Sequence, residues 1–430
     1  MAIFLFETKS LRQRFAPLTA NKPFLSLLSG GLPLLDKWAQ LNFDIGEVFV
    51  ISEDFLMTGY IPDYLEAGDY LVYCGMTPVA VTSIFHDCPT QATESGVGVL
   101  SKDAEGGPGK EIMAVLLNKR IALGAVKEAL YNNTHDVNEA APDSALKSLL
   151  APQQIKWYKA PGRNYYTYPT DFLNRLKADI DQSIEQLVQD PDVELLPLEP
   201  GNRVTGEHQV FIEKGASVSM SMLNTENGHI YLSKGVKVME GCMLRGPLYL
   251  GRGTVLKMGT RIYGPVAAGE FCVLGGEIKN SIFHKGTNKG HEGYIGDSII
   301  GAYCNFGAGS GGSNVKNTGG AVRLYDYQTK DFREVGQKFG ALVGDYTRIG
   351  VGTQLTTGSS IGVCCNLFGL EIPPRVVPSF SWGTGHNLVD YQIEKAISHI
   401  RTWLDFKDTQ PYDGEFQILN HIFEQTRRQG

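Results

Sequence analysis

The sequence contains no apolar run near the roughly 20 residues needed to cross a bilayer as a helix, no block of basic residues and no CxxC pair. The first absence argues against a helical membrane span. The second, with a net charge of −7, argues against nucleic acid as the main ligand, because phosphate-backbone binding needs clustered Lys and Arg. The third leaves the cysteines without a paired motif. The seven cysteines, at 74, 88, 242, 272, 304, 364 and 365, are odd in number, which suits reduced thiols and a cytoplasmic setting. The opening Met1–Glu7 is only briefly apolar and reads as a buried first strand, not as a signal peptide. Length (430 residues) and composition (20% charged, 42% hydrophobic) fit two globular domains with a short appendage.

What the chain has in excess is glycine: 50 residues, concentrated between positions 201 and 386. There, an aliphatic residue recurs every six positions. Steps of six from Leu232 land on Val238, Leu244, Leu250, Leu256 and Ile262, then continue more weakly through Ala268 and Leu274. A second register holds Val343, Ile349, Leu355, Ile361 and Leu367, and short runs link Ile212 to Val218 and Ile300 to Phe306. A period of six fits neither an α-helix nor a plain meander. It fits a triangular coil with six residues per side, aliphatic residues inward and small residues at the corners. Stacked coils bury one continuous ladder per side. Residues 207–378 are therefore predicted to form a left-handed parallel β-helix, within a domain spanning 202–380.

The rest of the chain reads differently. Strand-like runs at 2–6, 47–51, 70–74 and 79–85 alternate with helical patterns near 32–41 and 111–131, predicting an α/β domain over residues 1–195 with a largely parallel sheet. Phe172, Leu176, Ile180, Ile184 and Leu187 predict a helix after Pro169-Thr170. The Pro-rich, acidic stretch 190–201 reads as the connector between domains. Val389, Ile393, Ile397, Ile400 and Leu404 mark one helix in a 385–430 extension, and Phe416, Leu419 and Phe423 a second. These helices are expected to cover the open end of the β-helix or to meet a neighbouring subunit. Cys364-Cys365 and the scattered tryptophans read as packing residues.

Chemistry is expected where the six-residue period breaks, and the longest break runs from Ile282 to Val343. It holds His284, His291, Tyr294, Asn305 and Asn314, with Lys279 just before it. The run Gly290-His291-Glu292-Gly293-Tyr294-Ile295-Gly296-Asp297 resembles the Gly-His-x-x-Tyr-[Leu/Ile]-Gly-Asp segment of the bifunctional bacterial enzymes that acetylate glucosamine-1-phosphate and then uridylate it. Asn305–Ser310 and Glu277-Ile278-Lys279-Asn280 resemble two further motifs of that family, and Arg261 has the spacing of its phosphate-binding Arg. The resemblance covers about residues 205–380. It implies His291 as general base, a role worth about 10²–10⁴-fold in rate, with Tyr294 and Asn314 orienting the acceptor amine. Arg261, Lys279 and Asn305 would bind a sugar phosphate or nucleotide sugar, and Gly307-Ala308-Gly309 would let acetyl-CoA lie along the backbone between subunits of a homotrimer. Taken without the resemblance, a His in a coil loop is more often a solvated turn residue. Departures stand at Asn314-Val315-Lys316-Asn317, where the family has Asn-Tyr-Asp-Gly, at the long loop 319–340, and at Val351 in place of a Ser.

The amino-terminal part resembles a diverged sugar nucleotidyltransferase domain of the Rossmann-like α/β kind. The order of strand, basic loop, Pro17-Leu18-Thr19 and Lys22-Pro23 is kept, and Arg12, Arg14 and Lys22 are its candidate nucleotide-binding residues. The glycines that cradle phosphates are missing. The resemblance would also imply magnesium, yet Tyr73-Cys74-Gly75-Met76 has no carboxylate where the family has its metal-binding Asp. Two other functions fit the same sequence: a sugar-1-phosphate nucleotidylyltransferase whose β-helix only assembles the oligomer, and a non-catalytic binding or regulatory protein.

Overall fold

In the computed structural model the described residues are 2–39, 47–57, 60–77, 97–102, 108–131, 142–159, 165–412 and 414–428. They form two compact units: residues 1–13, 22–26 and 34–167, and residues 14–21, 27–33 and 168–430.

The first unit is built on a six-stranded mixed sheet. Ala2–Phe6 lies between Glu47–Ile51 and Tyr70–Tyr73, parallel to both, and Lys156–Lys159 runs parallel to Val97–Lys102. Pro108–Leu116 is antiparallel to its two neighbours. This corrects the expected helix over 111–131: only Leu123–Tyr131 is helical. Ile112 to Leu117 are buried without interruption, a pattern that suits a strand covered on both faces. The predicted strand 79–85 lies outside the described residues.

The second unit is a left-handed parallel β-helix whose coils advance by 18 residues where they are regular, as in Lys237↔Val255↔Val273. Each coil has three short strands. One face stacks Met222–Asn224, Met243–Arg245, Arg261–Tyr263, Glu277–Lys279 and Tyr294–Gly296. A second stacks Ile230–Leu232, Leu248–Leu250, Val266–Ala268, Ser281–Phe283, Ile299–Ile300 and Ala341–Val343. The third stacks Lys237–Val238, Val255–Leu256, Val273–Leu274, Asn288–Lys289, Asn305–Phe306 and Arg348–Ile349. The inward side chains make one aliphatic core from Ile212 to Val377. At one corner the left-handed backbone is taken by Gly235, Gly253, Phe271, Gly286, Tyr303, Tyr346, Cys364 and Phe380, all at positive φ. Non-glycine residues accept the strain there because the stacked neighbours hold the turn.

The expected break from 282 to 343 is shorter than the sequence suggests. The coil continues through Phe283, Lys289, Ile295, Ile300 and Phe306, all buried, and leaves the prism only after Gly312. The excursion forms an antiparallel hairpin, Val322–Asp326 with Asp331–Gly336. The period fades from view because the step from Leu274 to Ile278 shortens to four residues, those from Ile278 to Phe283 and from Ile295 to Ile300 shorten to five, and Lys289 stands where an aliphatic residue is expected.

Two outer faces of the prism are covered by the chain itself. The helix Pro169–Leu187 packs on the Arg261–Ala268 and Glu277–Phe283 strands, and Gly31 lies against the Tyr249 ring, where a Cβ would come within 2.6 Å of it. Outward-pointing Ala267, Ile282, Ile299 and Leu342 are consequently buried. This helix belongs to the β-helix unit, so the boundary lies at Thr167/Tyr168, upstream of the Pro-rich stretch at 190–201. The carboxy-terminal helices Ile393–Phe406 and Glu415–Arg428 lie beside the later coils of the β-helix, from Phe271 to Phe380, and not only at its end. Trp382 on the last coil stacks edge-on with Tyr391 at 4.7 Å, Arg348 sits 4.6 Å over Trp403, and Lys407 Nζ donates to Asn288 Oδ1 at 2.8 Å.

Candidate functional site

The remaining face, built on Arg261, Glu277 and Tyr294, carries most of the sequence-predicted site. These three are direct neighbours across parallel strands, and Tyr263, Lys279 and Gly296 form the adjacent column. Strand spacing of about 4.8 Å therefore sets two columns of polar side chains side by side. Tyr263 Oη donates to Glu277 Oε1 at 2.6 Å, and Lys279 Nζ lies 6.0 Å from the Tyr263 ring centre. That hydrogen bond to Glu277 pushes the Tyr263 phenol up to about 12. Burial pushes the Tyr294 phenol up as well, reinforced by the negative potential of Tyr263, Asp297 and Glu277. Both phenols are thus held protonated, as donors.

Asp297 organises the far end of this face; it stands in the quoted motif but not among the sequence-predicted site residues. It is buried, at φ +46°, and accepts from Asn280 Nδ2 at 2.6 Å and from Asn314 Nδ2. Asn314 also hydrogen-bonds Tyr294. Tyr294, Asn314, Asp297 and Asn280 thus form one chain of contacts, and Asn314 is carried into it just as the chain departs toward the hairpin.

His291 stands at the corner preceding Tyr294. It is exposed, and its imidazole makes no hydrogen bond to the described residues. Gly293, at φ +131°, has no room for a Cβ, which would lie 2.0 Å from Ser310 O. Glu292 beside it pairs with Arg261, Nη2 to Oε2, at 2.9 Å. Gly307-Ala308-Gly309 form the same corner one coil on, joined to the His291 segment by Gly309 N–H donating to Glu292 O at 3.1 Å. Val351 follows in the next coil, 71% exposed, since Gly352 N–H donates to Ala308 O at 2.9 Å. Asn305 is not on this face: it lies on the neighbouring one, in a column with Asn288 and Arg348.

His284, close to His291 in sequence, is buried and has a different role. Its Nδ1 faces Ile300 O at 2.9 Å, and its Nε2 accepts from Leu28 N–H at 3.1 Å.

The amino-terminal candidates are also interior. Arg12 is buried, with Nη1 3.0 Å from Glu7 Oε1. Glu7 is fully buried and also accepts from Phe24 N–H at 2.7 Å and from the Ser52 hydroxyl. Arg14 is buried in the other unit, 5.6 Å from the Tyr168 ring centre, and Lys22 lends its carbonyl to Arg12. The Tyr73–Met76 segment is buried, and burial together with Glu7 raises the Cys74 thiol well above its ordinary range. Those residues do not fit a divalent cation, which requires oxygen ligands. Among the described residues no cluster of three or more His, Cys, Asp or Glu side chains is placed to hold a metal, and no helix is long and apolar enough to cross a membrane.

The chain carries a left-handed β-helix of hexapeptide repeats. Its relatives are GlmU-like: the chain is 41% identical over 86 residues to the bifunctional protein GlmU of Methanococcus vannielii, covering 20% of each chain. It is 34% identical over 89 residues to that of Methanocaldococcus jannaschii, 21% of each. A bifunctional sugar-1-phosphate nucleotidylyltransferase/acetyltransferase of Sulfurisphaera tokodaii is 29% identical over 92 residues, 21% of this chain and 23% of that one. The chain thus matches these curated relatives over about a fifth of their length. No family model matches. Among solved structures the chain is similar to the polySia-specific acetyltransferase NeuO, at 11% identity over 47% of this chain and 99% of that one, TM-score 0.28. It is also similar to the acetyltransferase domain of PglB from Neisseria gonorrhoeae, at 10% identity, 57% and 75% coverage, TM-score 0.15.

Proposed function

We propose that the β-helix unit is an acyltransferase that moves an acetyl group from acetyl-CoA to the amine of an amino-sugar phosphate or nucleotide-linked amino sugar, with His291 as general base. The observation that carries this reading is the edge on which His291 and Gly307–Gly309 stack in consecutive coils, beside the face bearing Arg261, Lys279 and Tyr294. In this reading Gly307–Gly309 keep the corner low enough for a thioester to lie along it. The His291 imidazole takes a proton from the attacking amine, and Tyr294 and Asn314, braced by Asp297, orient that amine. Lys279 and Arg261 take the phosphate, Arg261 after exchanging Glu292 for it.

The same reading makes the protein a homotrimer. The two covered faces of the prism point to the remaining one, with its exposed Met222 and Met243, as the surface that meets another copy. Closed rotational symmetry is the norm for soluble homo-oligomers. In the first unit the Arg12 guanidinium is committed to Glu7, which does not favour nucleotidyl transfer there.

The test is acetyl transfer from acetyl-CoA to glucosamine-1-phosphate and related amino sugars by the full chain, compared with His291→Ala. A fall of about 10²-fold or more in kcat with unchanged acceptor KM is expected. Unchanged turnover in His291→Ala would remove the assignment.

A further inference from the structure

Every inward position on the third face holds an aliphatic or aromatic side chain from Val238 through Leu256 and Leu274 to Phe306, Ile349 and Leu367, except one. Lys289 occupies the rung directly above Leu274 and is 1% exposed. An ammonium inside an apolar prism costs several kcal/mol relative to a hydrophobic side chain unless its donors are used. The rungs around it show that a Leu would fit the ladder, so packing does not account for the residue.

Its acceptors do. Nζ donates to Gly275 O at 3.2 Å and also to His291 O. Gly275 and His291 occupy the same corner in consecutive coils, so one amine ties the His291 turn to the coil beneath it. Around it the corner is held by Glu277 N–H to Gly293 O at 3.2 Å and Gly309 N–H to Glu292 O at 3.1 Å, but the His291 carbonyl has no backbone donor among the described residues. The charged groups facing Lys289 are Glu292 and Arg261, and these pair with each other. Among the described residues no carboxylate is bound directly to the buried amine, and burial lowers its pKa to about 8.

We propose that Lys289 is a positioning residue for His291: from inside the β-helix it fixes the turn on which the general base stands. This rests on the acyl-transfer reading of His291. Lys289 touches no reacting atom; its contribution is to keep the imidazole at one place relative to the acceptor face, where a misplacement of about 1 Å can cost about 10²-fold.

The test uses the full chain with Lys289→Met, which keeps the apolar stem, and Lys289→Leu, which copies the neighbouring rungs, with the outward-facing Lys237→Met as control. Two measurements are made: acetyl-transfer kinetics and amide hydrogen exchange. The expected result is a tenfold or larger loss of kcat with acceptor KM nearly unchanged. The amides of Glu277 and Gly309 should exchange at least tenfold faster, with protection elsewhere in the β-helix retained. Wild-type kcat and wild-type exchange in both folded variants would overturn the proposal, leaving Lys289 a core residue. Should the wild type itself show no acetyl transfer, the acyltransferase reading fails, and the exchange of these two amides still decides whether Lys289 holds the turn.

Discussion

Leu28 N–H donates to His284 Nε2 at 3.1 Å, while Nδ1 of the same ring lies 2.9 Å from Ile300 O. An imidazole that accepts at Nε2 and meets a carbonyl at Nδ1 must be neutral, with its proton on Nδ1. The contact pins the 27–33 segment to a coil of the β-helix. His284→Ala should lower stability by about 2 kcal/mol through loss of both partners, measured by urea denaturation, and leave acetyl-transfer kcat within about threefold. His291→Ala should show the converse, full stability and lost turnover. Equal loss of turnover from both would show that the loop collapses and that neither result reports a base.

The Arg261–Glu292 pair sets a second expectation. Both side chains are partly solvent-exposed, so the pair itself contributes little stability, yet a phosphate must compete with Glu292 for the guanidinium. Glu292→Gln should therefore lower KM for a phosphate-bearing acceptor severalfold, with thermal stability unchanged. Lys279→Ala should raise that KM with a smaller effect on kcat. A higher KM in Glu292→Gln would mean that Arg261 needs the carboxylate for its orientation and does not meet the phosphate.

Lys289 makes stability depend on pH in a direction that can be worked out. Its folded pKa is near 8 against an ordinary 10.5, so between these values the unfolded chain holds a proton that the folded protein has shed. Stability contributed by this group therefore rises with pH from about 8 to 10.5, and the full burden of the buried charge is felt below 8. Lys289→Met has no such group. Its stability relative to the wild type should be greatest at pH 7 and decline by about 3 kcal/mol by pH 10.5, followed by denaturant midpoints. A gap independent of pH would show that the amine is not desolvated in the fold.

Removing residues 1–201 should not liberate a well-behaved β-helix. That cut takes away the helix Pro169–Leu187 and the 27–33 segment, both packed on the face that buries Ala267, Ile282 and Ile299. Aggregation in light scattering is expected for a chain beginning at Asn202; a monodisperse, cooperatively folding product would show that the covering elements are dispensable. The Pro-rich stretch 190–201 reads as a domain connector by composition, whereas the burial of Phe172, Leu176 and Ile180 assigns the preceding helix to the β-helix unit.

Several elements were legible in the sequence because their cause is local. The six-residue spacing is a property of one strand and one corner, repeated, so Leu232 through Ile262 and Val343 through Leu367 disclosed the coil without knowledge of any contact. The amphipathic repeats after Pro169 and around Ile393–Leu404 disclosed helices for the same reason. The run 112–117 reads as part of a helix in the sequence because a continuous apolar stretch has no period, and only the strands paired to either edge of it establish that it lies inside a sheet.

Other features depend on where distant segments meet. Glu7, Arg12 and Phe24 are brought together by the end of a sheet, so the basic loop that reads as a phosphate site is turned inward by a carboxylate beside it in sequence. Asp297 gains its part from Asn280 and Asn314, seventeen residues away on either side, about one coil in each direction. Lys289 interrupts the aliphatic pattern and so hides the coil in the sequence. The sequence alone determined the coil and its motif residues, because hexapeptide geometry repeats within a single strand and corner. Only the tertiary structure decided which face stays open, which histidine is buried and what the lysine inside the prism holds, because each depends on segments that the sequence separates and packing brings together.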